Sequence, residues 1–167
     1  MLRTATIAVA AVLLAGSFGA SAAPARPFEA VSTALDPGDV YELFANRSWI
    51  WENGAGYFAA KDRKFTAWSR EGGRPSYAEG RWFITGADKL CFRGEWHAVD
   101  GSARATNCFS HREKQGVIYQ KREPDGEWYR FGQLSPRRSG ELAKLRRGDH
   151  VASNKERIAA QLGAVRD

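Results

Sequence analysis

The run KLCFRGEWHAVDGSARATNCFSHR, residues 89–112, carries the pattern that decides the fold. Two segments of alternating apolar and polar residues flank Asp100-Gly101, a dipeptide favoured in two-residue hairpin turns because both central positions need a left-handed backbone. With that pair at the turn centre, Phe92 stands opposite Phe109 and Cys91 opposite Ser110, and Cys108 is the diagonal neighbour of Cys91. A side-chain period of two then groups Cys91, Arg93, Glu95, His97, Arg104, Thr106, Ser110 and Arg112 on one face. Leu90, Phe92, Trp96 and Phe109 take the other. One face is apolar and one is charged, as in an antiparallel sheet with a core side and a wet side.

The same texture runs from Ser48 to Phe131, in short segments rich in Trp, Tyr, Phe, Ile and Val. Turn residues separate them at Asn53-Gly54, Lys61-Asp62, residues 72–75, Gly86-Ala87, Asp100-Gly101, residues 114–116 and residues 124–126. About eight strands follow, near 48–52, 55–60, 63–70, 77–85, 89–97, 103–111, 116–122 and 127–132. The fold class is mostly β, an antiparallel meander. Closing it on itself removes both exposed edges and gives a small barrel, and an open, strongly bent sheet with helices packed on it is the alternative. A two-residue turn at Asn53-Gly54 would set Trp49 opposite Phe58 and Trp51 opposite Gly56 in an aromatic cluster. Gly54-x-Gly56 is not a phosphate loop, because a strand rather than a helix comes after it.

Helices flank the meander. Asp36-Pro37 reads as an N-cap and first helical residue, with Val40, Leu43 and Phe44 at helical spacing and an end near Asn46. Beyond the strands, Glu141 to Arg147 reads as a helix stopped by Gly148, and Ser153 with Glu156 as a capping box ahead of Ile158, Leu162 and Val165. One or two C-terminal helices would then cover a barrel mouth.

The N-terminus reads as a secretory signal peptide, residues 1–22: a positive start at Arg3, an apolar run from Ala5 to Leu14, and Ala20-Ser21-Ala22 ahead of the cut. The apolar run is shorter than the roughly 20 residues a bilayer core needs, so no stable membrane anchor is expected after cleavage. Residues 23–35 read as a flexible lead-in and residues 36–167 as a single domain. Removing residues 1–22 from the 167 leaves 145, and with Arg3 gone the net charge falls from +6 to +5. The expected location is periplasmic or secreted. A basic exported chain, pI about 9.6, favours anionic envelope components or a small ligand over nucleic acid.

Export also governs the cysteines. Two cysteines in an oxidising compartment argue for one structural disulfide, Cys91–Cys108, although a diagonal pair needs a bulge or a turn one residue tighter to come within bonding range. The charged face beside them is expected to be the solvated outside. Facing inward, Arg93, Glu95, His97 and Arg112 would instead form an ion-pair network lining a ligand cavity. His97, His111 and His150 lack metal-ligand spacing, and neither a metal nor a cofactor is expected. Glu79, Glu95 or His97 could serve a hydrolase of cell-wall or glycan substrates only if two carboxylates meet in one cleft. The many remaining aromatics suit a core, or the lining of a barrel that holds a ligand. Arg137-Arg138, Lys144 and Arg146-Arg147 form a basic patch able to touch acidic headgroups or glycans. Asn46-Arg47-Ser48 is a glycosylation sequon with meaning only in a host that modifies it.

Taken together, Trp49-Ile50-Trp51, residues 53–58, residues 65–68, residues 77–82, Leu90-Cys91-Phe92, Trp96-His97, residues 108–112 and Ile118-Tyr119-Gln120 resemble the domain-of-unknown-function 995 family of exported bacterial proteins. The likeness covers about residues 40 to 150. It implies no catalytic residue, since that family has no assigned activity. A second likeness is to calycin-type barrels, whose first strand opens Gly-x-Trp where this chain has Arg47-Ser48-Trp49, a departure that argues against lipocalin-like binding. The expectation is a monomeric, non-enzymatic envelope protein that binds a ligand or envelope component. The alternatives are the hydrolase and a structural or stress-related protein that works by contacting a partner.

Overall fold

The computed structural model of the chain describes residues 27–133 and 138–164. Residues 1–22, read above as a signal peptide, residues 23–26 and Val165 of the C-terminal helix reading lie outside them. In chain order the elements are β1 (Thr33–Ala34), α1 (Pro37–Phe44), β2 (Arg47–Trp51), β3 (Gly54–Phe58), β4 (Lys64–Ser69) and β5 (Ser76–Thr85), followed by β6 (Lys89–Ala98), β7 (Gly101–Lys114), β8 (Val117–Arg122), β9 (Tyr129–Gly132), β10 (Leu145–Arg147) and α2 (Ala152–Ala164). The sheet is antiparallel and ordered β10-β2-β3-β4-β5-β6-β7-β8-β9, with β1 paired to β7 off that path. The meander is the open, bent form, a half-barrel. Its edge strands β9 and β10 do not pair; Leu142, from the 3-10 turn Gly140–Lys144 between them, is fully buried against the core.

The helix α1 fills the hollow of the curl. It begins at Pro37 as expected, although the Asp36 carboxylate makes no capping bond. Val40, Leu43 and Phe44 are buried, and the Phe44 ring stands 6.0 Å from Trp49, 5.3 Å from Phe58, 5.4 Å from His111 and 6.2 Å from Phe131. Leu90, Phe92 and Trp96 line the same inner face, as the alternation requires.

Two registers differ from expectation by the same step. Trp49 lies opposite Gly56 and Trp51 opposite Gly54, so the first turn centres on Glu52-Asn53. Cys91 lies opposite Cys108 and Ala98 opposite Gly101, so the other centres on Val99-Asp100. Each glycine sits just past its turn. For Gly54 the reason is packing: a Cβ there would lie 2.5 Å from both the Trp51 indole and the Trp68 carbonyl oxygen. The tighter second turn opposes the cysteines directly, and they are disulfide-bonded with Cα atoms 4.1 Å apart.

Both chain ends depart from the sequence reading. Of the stretch taken as a flexible lead-in, residues 28–34 form a 3-10 turn and β1. Arg112 holds them, its Nε donating to Ser32 Oγ at 2.8 Å and its Nη2 to the Ser32 and Glu29 carbonyls. Leu145–Arg147, read as helix, is an edge strand on β2. The last helix starts at Ala152, and its cap is Asp149 rather than Ser153, with Asp149 Oδ1 accepting from the Val151 and Ala152 amides. This helix covers no mouth. It packs on the outer face of β4 and β5, where Lys155 reaches Glu79.

Candidate functional site

Two places deserve comparison, the charged outer face and a cleft at the rim. On β5 and β6, Glu79 lies directly opposite Glu95, Arg81 opposite Arg93, and Tyr77 opposite His97, whose ring stacks on Tyr77 at 4.7 Å. These side chains share parity with Glu79, which bonds the outer helix α2, and not with Trp82 or Phe92 of the core. Arg93, Glu95 and His97 are therefore on the outside. Arg93 is exposed, Glu95 accepts a hydrogen bond from Ser102 Oγ at 3.2 Å, and Arg112 is engaged with residues 29–32. The four residues form no joint network. Glu79 is held below the ordinary carboxylate range, chiefly by its hydrogen bond from Lys155. A carboxylate kept ionised in this way is a poor proton donor.

The inner face carries a buried polar chain. Tyr129 Oη donates to Gln120 Oε1, Gln120 Nε2 donates to His111 Nε2 at 2.8 Å, and His111 Nδ1–H donates to the Asp88 carbonyl at 3.1 Å. That tautomer, inferred from its partners, satisfies every ring nitrogen with the imidazole neutral. Burial pushes the His111 pKa down to about 4 and that of Tyr129 up to about 12. The chain is a structural element of the core, closed to solvent at His111 and Gln120.

At the open end of the half-barrel, α1, β1 and the β7–β8 hairpin, with Gln133 and Arg138 beyond β9, enclose a cleft of about 700 Å³. Its apolar lining comes from Leu35, Leu43 and Ile118. Its charged lining is Asp36, Asp39, Glu42 and Glu113, from α1, the residue before it and β7, together with Arg47 and Arg138. Arg47 opens β2 on the same face as Trp49 and Trp51, and pairing with β10 sets Arg147 directly across from it. The Arg47 pKa is lowered by burial and then by the charges of Arg138 and Arg147, and that of Arg138 by burial and then by Arg147. Arg47 Nε and Arg138 Nη1 are buried without a hydrogen-bond acceptor among the described residues.

Arg138 and Arg147 belong to the basic patch recognised in the sequence; Arg47 was read there as part of a sequon and of the first-strand stretch Arg47-Ser48-Trp49, not as a member of that patch. The signal for it existed, since Arg47, Trp49 and Trp51 alternate, placing a cation on the parity of a buried aromatic stripe. Asn46 of that sequon is itself engaged, its Oδ1 accepting from the Ala60 amide at 2.9 Å. Among the described residues no group of histidine, cysteine and acidic side chains could hold a metal ion, and no helix is long and apolar enough to cross a membrane.

No curated protein and no solved structure matches this chain. A family model described as "Protein of unknown function (DUF995)" matches residues 11–151, a span that takes in the whole meander, the cleft-lining arginines and the disulfide, and the chain belongs to that family.

Proposed function

We propose that this protein is exported to the periplasm and works there without catalysis, binding a small ligand or an envelope component in the rim cleft. The observation that carries this reading is the cleft itself. Rings fill the hollow of the curl, whereas the rim leaves about 700 Å³ lined by apolar side chains and by charges of both signs. Such a combination of apolar lining and a few convergent polar groups is the usual make-up of a ligand site. A basic chain in an envelope, at +6 before removal of the leader, adds attraction for acidic partners.

Hydrolysis has less support. Glu79 and Glu95 are neighbours, but on the outer face, and Glu79 is ion-paired to Lys155.

The test is fractionation of the native host followed by native mass spectrometry of the protein purified gently from the periplasmic fraction. The expected outcome is a mature chain beginning at Ala23 and carrying an adduct that is lost from a Leu43→Trp variant, in which the indole fills the cleft. Cytoplasmic protein with an intact leader would end the export reading, and an adduct indifferent to Leu43→Trp would end the cleft reading.

A further inference from the structure

We infer that Arg47, Arg138 and Arg147 form a binding site for a multiply charged oxyanion, a phosphate group above all, at the arginine end of the cleft. The inference rests on the cleft being the binding site and names the chemistry it takes. Arg47 and Arg138 line that end, and Arg147, outside the lining, stands directly opposite Arg47 across β2 and β10 and acts on both through its charge. Like charges directly opposite in a sheet are destabilising. Among the described residues no carboxylate comes within ion-pair distance of any of the three, although Asp39 and Glu42 line the same cleft.

Two of the guanidinium groups also keep buried N–H donors unpaired among the described residues, at Arg47 Nε and Arg138 Nη1. A buried unsatisfied donor costs about 1–3 kcal/mol, so the cluster weakens the ligand-free fold twice, through repulsion and through unmet hydrogen bonding. An oxyanion relieves the repulsion. A single carboxylate offsets one charge of three, whereas a phosphate brings up to two charges and enough acceptor oxygens to meet several guanidinium forks at once. Asp39 and Glu42 line the same cleft, beyond ion-pair distance of the arginines. They repel the anionic end of a ligand toward the arginines and leave Leu35, Leu43 and Ile118 for its apolar part.

The experiment measures thermal unfolding and calorimetric binding of the mature chain with inorganic phosphate, against sodium chloride at matched ionic strength. Phosphate is expected to raise the midpoint saturably and chloride not. Arg138→Ala and Arg147→Gln should each weaken phosphate binding by about tenfold or more, as loss of a charge-assisted contact requires, while leaving the ligand-free midpoint unchanged or higher. Should Arg138→Ala fail to fold, Arg147→Gln carries the test, because Arg147 is exposed. Equal effects of phosphate and chloride, wild-type affinity in both variants, or a lowered ligand-free midpoint in both would overturn the inference. A second arm uses phosphatidylglycerol vesicles. Vesicle binding that free phosphate competes away identifies a lipid headgroup as the source of the phosphate, and phosphate binding without vesicle binding identifies a soluble one. The two readings fail separately: an adduct displaced by Leu43→Trp without any phosphate response keeps the cleft and removes the oxyanion.

Discussion

His111 shows how one buried side chain makes stability depend on pH. Its ring is fully enclosed and neutral, with a pKa lowered from 6.5 to about 4 by burial. Between those values the unfolded chain takes up a proton that the folded chain refuses, so stability falls as pH drops from 6.5 toward 4 and is fully present above 6.5. The loss is about 3 kcal/mol at most, at 1.36 kcal/mol per pKa unit. Urea midpoints of the wild type at pH 7 and 4.5 should differ by most of that amount, and His111→Gln should flatten the difference while lowering stability at both. An unchanged pH slope in His111→Gln would assign the acid sensitivity to other groups. Glycines teach a second lesson at this scale. Gly54 was readable as a turn former, yet it serves as the open surface beneath Trp51, a role that depends on which indole lies above it and has no local signature. Gly54→Ala should cost about 1–3 kcal/mol as an overpacked site. In α1, by contrast, a Cβ at Gly38 meets nothing within 4 Å, and Gly38→Ala should stabilise by up to about 1 kcal/mol. Chemical denaturation of the two variants side by side checks the contrast in sign.

Strands β2 to β9 were legible because each carries several alternating residues between turn signals, and their observed bounds lie within a few positions of those read from the pattern. The short strands were not. Thr33–Ala34 and Leu145–Arg147 hold two and three residues, too few to show a period, and they are strands only because β7 and β2 offer them partners. Leu145–Arg147 therefore read as the end of a helix, and Arg147 went unnoticed as the neighbour of Arg47. The β6–β7 hairpin is the longest pairing and carries the disulfide, on the outer face, with a sequence separation of 17 between its cysteines. In the chain-entropy account a loop of that length contributes about 3 kcal/mol by constraining the unfolded chain. A Cys91→Ala, Cys108→Ala double variant should lose roughly that amount in denaturant titrations, and reduction of the wild type should cost the same. A double variant as stable as the oxidised protein would show that the hairpin's direct pairing needs no cross-link.

On the scale of the whole molecule, the sequence distinguished a core face from a wet face but left barrel and bent sheet open. That choice depends on what fills the curl. Here α1 supplies Phe44, whose ring meets Trp49 and Phe58 from one arm of the half-barrel and His111 and Phe131 from the other. Those partners stand on β2, β3, β7 and β9, so Phe44 bridges the two arms, beside Trp49, whose ring meets Phe109 and Phe131 directly. With rings packed through the hollow, the cleft lies at the rim, beside the helix that occupies the centre. If Phe44 is the element that both arms grip, Phe44→Ala should cost about 3–5 kcal/mol, the range for a large aromatic removed from a packed core. It should also loosen the inner face, read as new binding of an environment-sensitive dye and lost near-ultraviolet circular dichroism from Trp49 with far-ultraviolet signal retained. A loss of about 1 kcal/mol with the near-ultraviolet spectrum intact would place the closing force elsewhere, on Leu142 in the gap between β9 and β10.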